Sequence, residues 1–469
     1  MSFDSLAYLL FLPAVALVHA ILPHRFRWVW LLLASMVFYA SWNAPLTLLL
    51  LLVIGTTYGA GLLLDRVKTV SLRRAALAGA LLVCLGLLLY FKYASFLMRT
   101  FGGLLRLFGT RCDWTLWDIL LPIGISFYTF QALSYVFDVY HGKIAAERHP
   151  GYYALYISFF PQLVAGPIER ADALLPQMKT ERRVTQDDIQ AGLLMLLSGY
   201  FRKIVLADFC GVIVDRIYAL PDPDGGAALV ATVLFGVQIY CDFAGYSEIA
   251  RGSARLLGVR LMQNFDRPYL SPDIRAFWRR WHISLSKWLA DYVYVPLGGS
   301  QKGLWRQLLA TLLVFFLSGL WHGANETFVV WGLFHGVLLC AYLLLRRAGL
   351  RDPKTRAGKA LGISITYALV TLGWVFFRAQ TLPHAFDLLV RIFSPWNPSL
   401  ARAQLAIGIP ELIRLLLSLA ACPLLLQLGA EQSQRQRDLT YVFLVLVIAL
   451  AWWVRLDSGT VSAFIYFQF

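Results

Sequence analysis

Two histidines lie inside the most apolar part of the chain, where a titratable side chain is costly and therefore indicates function. Of the eight histidines, only His322 and His335 fall within the block Leu308–Leu345. A neutral imidazole has a pKa near ~6.5, so it can deprotonate an attacking hydroxyl at neutral pH. Acyl transfer from a thioester suits such a base, because no G-x-S-x-G elbow supplies a serine nucleophile. Transport and structural hydrogen bonding are alternative roles.

The residues around His322 decide what could assist it. Residues 320–326 read Leu-Trp-His-Gly-Ala-Asn-Glu. If they are helical, Glu326 shares a face with His322 and could orient the imidazole, although an interfacial carboxylate is an equal interpretation. His335 lies about 220° further around an ideal helix, so the two rings should not share a face. We therefore expect no metal site here and a packing role for His335.

Membrane helices are the elements that must position these residues. The chain has 469 residues, of which 59% are hydrophobic and 15% charged, and the apolar residues form long uncharged runs. We predict roughly ten to thirteen transmembrane or re-entrant segments and no separate soluble domain. The strongest candidates are Leu6–Leu22, Leu46–Leu64, Ala75–Phe91, Ile119–Phe137, Ala227–Tyr246, Leu308–Leu320, Thr327–Leu345, Ala360–Phe377, Leu415–Leu428 and Tyr441–Val454, and weaker ones are Trp28–Ser41 and Gly192–Val205.

The net charge of +15 is interpreted as membrane orientation and not as nucleic-acid binding, because lysine and arginine concentrate in cytoplasmic loops. The basic clusters are Arg66–Arg74, Lys179–Arg183, Arg251–Lys287 and Arg346–Lys359. We expect these four loops on the cytoplasmic side. Four basic residues fall on the outer side in this arrangement and are not explained by it: Lys92, Arg99, Arg106 and Arg111.

Two stretches are irregular. In Ile274–Val295, tryptophans interleave with basic residues, which predicts one or two amphipathic helices at the cytoplasmic interface. An ordinary interfacial anchor is the competing interpretation. In Phe159–Arg170, two prolines and a glycine interrupt an apolar segment that is too short to cross a bilayer. That segment is either a re-entrant element or a loop at a helix end.

An ordered set of motifs runs from about residue 120 to 380. The motifs are LPIGISFYTFQ at 121–131, FPQLVAGP at 160–167, QIYCDFAGYS at 238–247, NF at 264–265, FWRRWHISLS at 277–286, DYVYVPLGG at 291–299, SGLWHG at 318–323 and GWVFFR at 373–378. Taken together, they resemble the membrane-bound O-acyltransferase (MBOAT) family, and within it the alginate O-acetyltransferase branch. The resemblance implies one all-α polytopic membrane domain over residues 1–469, with helices around a central funnel or tunnel and amphipathic interfacial helices.

The resemblance also implies site residues. His322 corresponds to the catalytic histidine and His282 to the second signature position. The stretch Arg275–Tyr294 would form part of the cytoplasmic donor entrance, where basic side chains suit a phosphate-bearing thioester. Candidates for lining the substrate or donor channel are Gln238, Tyr240, Asp242, Tyr246, Trp278, Trp281, Arg279, Arg280, Asn325 and Glu326. For the first four, buried polar packing is an equal alternative.

The implied activity is passage of an acetyl group from a cytoplasmic thioester across the bacterial inner membrane. The expected donor is acetyl-CoA or an acyl carrier, with no bound cofactor. A separate periplasmic or membrane-anchored partner with an SGNH-hydrolase-like fold would acetylate an exopolysaccharide, alginate or a similar polymer, within a synthesis and export complex. Two other functions are kept as alternatives: a transporter or flippase for a lipid-linked sugar, and a scaffold without chemistry.

Overall fold

A computed structural model of the chain describes residues 1–109, 120–351, 353–408, 441–442, 445–449 and 464. The predicted span Leu415–Leu428 and half of the residues of Tyr441–Val454 lie outside these residues. The described α-helices are α1 Leu6–Ile21, α2 His24–Ala40, α3 Thr47–Arg66, α4 Val70–Leu88, α5 Ala94–Leu107, α6 Ile125–Tyr140, α7 Pro150–Ser158, α8 Phe160–Leu163, α9 Ala171–Lys179, α10 Gln186–Tyr200, α11 Asp208–Tyr218, α12 Gly225–Leu256, α13 Ile274–Arg280, α14 Ile283–Leu289, α15 Leu304–His322, α16 Glu326–Arg347, α17 Arg356–Arg378, α18 Leu382–Ile392 and α19 Pro398–Leu405.

Short non-α segments join or extend several helices. Three of them are π-helical: π1 Leu89–Tyr93, π2 Phe201–Ala207 and π3 Ala290–Tyr294. Two are 3₁₀ turns, Ala44–Leu46 and Pro268–Leu270. A π-helix adds about one residue to a turn and therefore changes the direction of the side chains around it.

Six described helical segments are long and apolar enough to cross a membrane: Ala44–Arg66, Val70–Gly103, Gly225–Leu256, Leu304–His322, Glu326–Arg347 and Arg356–Arg378. Their apolar side chains face outward, as with Leu82, Leu309 and Val337, which are exposed because lipid is the solvent of this surface. Three other predicted spans, α1, α2 and α6, have only 16 or 17 residues. The described residues confirm an all-helical polytopic membrane protein.

Helices α10 and α12 pack with their backbones in close approach. Gly192 of α10 faces Gly252 of α12, and Gly199 faces Gly245. The two contacts are seven residues apart along each helix. A Cβ atom on Gly199 would lie 2.7 Å from the carbonyl oxygen of Gly245, and one on Gly252 would lie 2.7 Å from that of Gly192. Small residues allow such contact between membrane helices. The contact fixes α12, the longest helix described, in the centre of the protein.

The irregular stretch Phe159–Arg170 is enclosed by protein. Its backbone makes one turn, α8, and then runs without regular structure to residue 170, and nearly all of its side chains are buried. The amide of Phe160 donates to Ser35 Oγ at 3.1 Å, and the Gly166 amide donates to the Gln162 carbonyl at 2.9 Å. Non-helical backbone is tolerated at membrane depth when protein groups satisfy it.

The aromatic and basic stretch Ile274–Val295 forms two short helices, α13 and α14, followed by π3. Trp281 and His282 separate the two helices. His282 adopts a left-handed conformation with φ 43° and ψ 56°, which is rare for a residue with a Cβ atom. This local strain turns the His282 ring into the protein instead of along the interface.

We expect Gly199→Ala to destabilise the protein, because its methyl group would force α10 and α12 apart. Overpacking of this kind lowers the free energy of unfolding by ~1–3 kcal/mol. The matched control is Gly79→Ala in α4, where no atom lies within 4 Å of the added Cβ. It should be neutral or slightly stabilising, since alanine has the higher helix propensity. Thermal unfolding of the detergent-solubilised variants measures both effects, and equal Tm values for the two would contradict this packing.

Candidate active site

His322 is the last residue of α15 and is almost wholly buried, with 3% of its surface exposed. The chain becomes extended at Gly323, and Asn325 caps the next helix by accepting the Thr327 amide at 3.2 Å. The helical geometry assumed from sequence for residues 320–326 is therefore wrong. Glu326 begins α16 and is exposed, so it does not share a helical face with His322. Its predicted orienting role loses its basis.

His282 is held in one tautomer by Asn264. The side-chain oxygen of Asn264 accepts the backbone amide of Ser284 at 3.2 Å and the Ser284 hydroxyl at 3.0 Å. Because a backbone amide only donates, this atom is the oxygen, and His282 Nδ1 must carry the proton that it donates over 3.2 Å. Complete burial lowers the pKa of the His282 imidazole to about 3, so the ring is neutral and Nε2 keeps its lone pair.

The fold brings His282 and His322 together although they are forty positions apart in the chain. Their ring centroids are 6.3 Å apart, and Trp321 lies against both, at 5.5 Å from His282 and 5.0 Å from His322. His335 does not join the pair. The Trp331 ring stands between it and His322, at 5.1 Å and 5.0 Å respectively. Two imidazoles in an aromatic enclosure form the centre of the site.

A polar cavity of about 240 Å³, here called the arginine cavity, has Asn264, the hydrogen-bond partner of His282, in its wall. Arg202 is ion-paired with Glu248, whereas Nε of Arg251 is buried without a hydrogen-bond partner among the described residues. The cavity opens at the surface because Arg267 in its wall is exposed. Its wall consists of Arg202, Tyr240, Ala244, Ser247, Glu248, Arg251, Gln263, Asn264, Phe265, Asp266 and Arg267.

A second cavity, of about 270 Å³, reaches the pair directly at His322 and is called the His322 cavity. Its wall is mostly apolar, and it too meets the surface, because Trp42 and Leu120 are about half exposed. Its wall consists of Trp42, Lys92, Leu120, Leu121, Pro122, Ile123, Gly124, Ile125, Ser126, Phe127, Val164, Trp321 and His322.

The two cavities lie at opposite ends of the helices. Helix α2 begins at His24 and ends at Ala40, so Trp42, two residues later, lies at the end of α2 remote from His24. His24 Nε2 donates to the Lys179 carbonyl at 3.0 Å, and Gln177 Oε1 accepts the Arg260 amide at 2.9 Å. Residues 263–267 of the arginine cavity wall closely follow Arg260 in the chain. The cavity therefore lies on the same side of the protein as His24 and the basic loops. One cavity therefore borders His322, and the cavity at the other end borders Asn264, which binds His282.

Of the four channel candidates on α12, only Tyr240 lies in the wall of a described cavity, the arginine cavity. Asp242 is buried and ion-paired with Lys203 at 2.8 Å. Tyr246 is buried between stacked phenylalanine rings. Gln238 is buried against α11, where Gly211 lies. The latter three occupy packing positions.

The candidates on α13 and at its end surround the site without lining either cavity. Trp281 is fully buried, with its ring 6.2 Å from that of Tyr240, and Trp278 packs on His335 at 5.0 Å. Arg279 is exposed, and Arg280 donates to the Leu270 carbonyl at 3.2 Å. The arginines that face a cavity come instead from π2, α12 and the loop that follows α12.

Three residues of the site were not singled out from sequence: Lys92, Asn264 and Arg251. Asn264 belongs to the two-residue motif NF at 264–265, which did not indicate a contact with His282. Lys92 had a visible signal, because it did not fit the predicted orientation of the basic residues. In the structure, Lys92 Nζ donates to the carbonyl oxygens of Trp321, at 2.7 Å, and His322, at 3.2 Å.

Comparison with known proteins agrees with this architecture. A family model described as MBOAT, membrane-bound O-acyltransferase family, matches residues 149–382, which include both site histidines. The chain is 37% identical over 495 residues to the probable alginate O-acetylase AlgI of Pseudomonas putida, with 100% of each chain covered.

Two further relatives extend the range of named activities. The probable alginate O-acetylase AlgI of Azotobacter vinelandii is 39% identical over 411 residues, covering 86% of this chain and 81% of that protein. The peptidoglycan O-acetyltransferase of Helicobacter pylori is 33% identical over 394 residues, covering 77% and 72%. The chain thus belongs to the membrane-bound O-acyltransferase family, in its alginate O-acetylase-like branch.

Proposed function

We propose that this protein transfers an acetyl group from a thioester donor to an acceptor hydroxyl, with His322 as the general base. One observation carries the proposal: a buried pair of histidines, His282 and His322, has a cavity on each side, one lined by His322 and the other by Asn264, which binds His282. Two substrates that enter from opposite sides of a membrane would meet at this pair. The names of the relatives, an alginate O-acetylase and a peptidoglycan O-acetyltransferase, favour acetyl as the transferred group.

Acetyl-CoA from the cytoplasm is the proposed donor. The arginine cavity lies at the end of the basic loops, which the positive-inside rule assigns to the cytoplasm. Its arginines suit the phosphates of the donor, since a guanidinium binds phosphate through two parallel hydrogen bonds. Arg251 is the best candidate, because its Nε has no hydrogen-bond partner among the described residues. An acyl carrier would present the same thioester and a single phosphate diester.

The proposed reaction is a direct acyl transfer. The acceptor oxygen attacks the thioester carbonyl carbon while its proton passes to a ring nitrogen of His322. The tetrahedral intermediate then collapses, the carbon–sulfur bond breaks, and the thiolate takes the proton from His322. His282 stays neutral, with its Nδ1 proton donated to Asn264, so it does not take the proton that passes to His322.

The acceptor is proposed to enter from the outer end, through the His322 cavity. This cavity has a mostly apolar wall and a volume of about 270 Å³, so it suits one small hydroxyl-bearing group better than a polysaccharide chain. We therefore propose that a separate periplasmic partner with an SGNH-hydrolase-like fold receives the acetyl group. That partner would pass the group to alginate or a similar exopolysaccharide in an export complex of the bacterial inner membrane.

His322→Ala should lower the rate of acetyl transfer about 100-fold or more, because it removes the general base. The assay uses purified protein with radiolabelled acetyl-CoA and follows label release or transfer to an added acceptor. His384→Ala is the matched control, since His384 is a partly exposed histidine that lines neither cavity. Size-exclusion chromatography verifies folding. Equal turnover in wild type and His322→Ala would remove His322 from the mechanism and favour a transporter or scaffold.

Arg251→Gln should raise KM for acetyl-CoA about tenfold or more and leave kcat nearly unchanged, because it removes a cation that contacts only the donor. Hydrogen bonds to charged groups contribute ~1.5–3 kcal/mol, and ~1.4 kcal/mol is tenfold in affinity. Arg279→Gln probes the other donor entrance, the one inferred from sequence. Saturation kinetics of both variants decide between the entrances, and a KM increase confined to Arg279→Gln would contradict binding in the arginine cavity.

A further inference from the structure

The helix that carries His322 ends without a cap from its own sequence. The last four carbonyl groups of an α-helix have no partner within the helix, and inside a membrane no water replaces one. Gly323 is extended, with φ −165°, and so does not form the left-handed turn that often closes a helix. Its amide reaches the Gly319 carbonyl only at 3.4 Å. Three carbonyl groups, those of residues 320–322, remain for other parts of the protein.

Two consecutive side chains from another helix satisfy these three carbonyl groups. The Tyr93 hydroxyl donates to the Leu320 carbonyl at 2.6 Å. Lys92 Nζ donates to the carbonyl oxygens of Trp321, at 2.7 Å, and His322, at 3.2 Å. All four terminal carbonyl groups of α15 are thus hydrogen-bonded. Two residues more than 220 positions away in the chain act as the C-terminal cap of this helix.

The π1 segment is what presents both side chains to the helix end. Lys92 and Tyr93 are its last two residues, and they interrupt the otherwise α-helical span Val70–Gly103. π-Helical turns are rare and occur frequently at functional sites. The extra residue in the turn changes the direction of the side chains around it. Adjacent residues of a regular α-helix point about 100° apart, whereas Lys92 and Tyr93 both contact the end of α15.

The charge of Lys92 supports the same role. A cation within a spanning segment is costly, and the hydrogen bonds that Lys92 makes among the described residues go to carbonyl oxygens and not to a carboxylate. The C-terminal end of a helix carries a partial negative charge, which attracts an ammonium group. Lys92 Nζ also lies 5.9 Å from the centre of the Trp321 ring, at the distance of a cation–π contact. Helix end and indole together provide the environment that a carboxylate would otherwise supply.

We propose that Lys92 and Tyr93 are positioning residues that hold His322 in its catalytic place. By fixing the carbonyl groups of the last turn of α15, they fix the backbone of His322 and hence its ring beside His282. Placement matters because a shift of ~1 Å between reacting groups lowers a rate about 100-fold. This inference rests on the proposed function of His322, and it adds two residues outside the range matched by the family model.

The test compares Lys92→Met, Lys92→Arg and Tyr93→Phe in the acetyl-CoA assay, using the full-length protein. Lys92→Met keeps the length of the side chain and removes its donors, so kcat should fall about 100-fold. KM for acetyl-CoA should stay unchanged, because the donor enters by the other cavity. Lys92→Arg retains a cationic donor and should restore kcat to within about tenfold. Tyr93→Phe should lower kcat about tenfold. Lys302→Met, at an exposed loop position, is the matched control and should match the wild type.

The kcat and KM values separate positioning from a general structural role, which would not be restored by Lys92→Arg. If size-exclusion chromatography shows that Lys92→Met is poorly folded, the kcat values of Lys92→Arg and Tyr93→Phe decide. A complete loss of kcat in Lys92→Arg together with a wild-type kcat in Tyr93→Phe would overturn the proposal. Wild-type kcat in a folded Lys92→Met also overturns it. His322→Ala is assayed in parallel. If His322→Ala is inactive while Lys92→Met is fully active, only this inference fails; if His322→Ala is active, the proposed function fails.

Discussion

A polar group inside a lipid bilayer has no water to bind, so the protein itself must supply its partner. This constraint governs the centre of the structure. The amide of Phe160, in a break between helices, donates to Ser35, and buried Asp242 is paired with Lys203. The terminal carbonyl groups of α15 receive their hydrogen bonds from Lys92 and Tyr93. Each buried polar group at the centre therefore requires a second polar group of the protein as its partner.

Departures from α-helical geometry concentrate around the two cavities. π1 carries Lys92 into the wall of the His322 cavity, and π2 carries Arg202 into the wall of the arginine cavity. His282 lies in a left-handed turn between α13 and α14. In a regular α-helix, the direction of each side chain is fixed by a rotation of about 100° per residue. Local irregularity instead directs single side chains toward one point.

The two histidines of the candidate site have different surroundings. Asn264 gives His282 a fixed proton on Nδ1, and burial keeps that ring neutral. Nε2 of His282 therefore keeps its lone pair as a hydrogen-bond acceptor. His322 stands at the other cavity, at the end of a helix. This difference in surroundings is the basis on which the proposed function assigns the general base to His322.

The sequence by itself determined the helical membrane fold, most of its described spans and the two histidines of the centre. The spans and His322 follow from local signals, because an uncharged run of about 20 residues must span a bilayer and a histidine within it is exceptional. His282 was identified only by the resemblance of its motif to the family. Contacts between distant elements could not be read in this way. His322 was expected beside Glu326, four residues on, but the helix ends and its neighbours include Lys92, 230 positions earlier. Arg279 and Arg280 were candidates for lining a channel, whereas the arginines in the wall of the arginine cavity come from three other elements. Helical periodicity fixes which side chains share a face, and only the packing of helices against one another decides which faces meet.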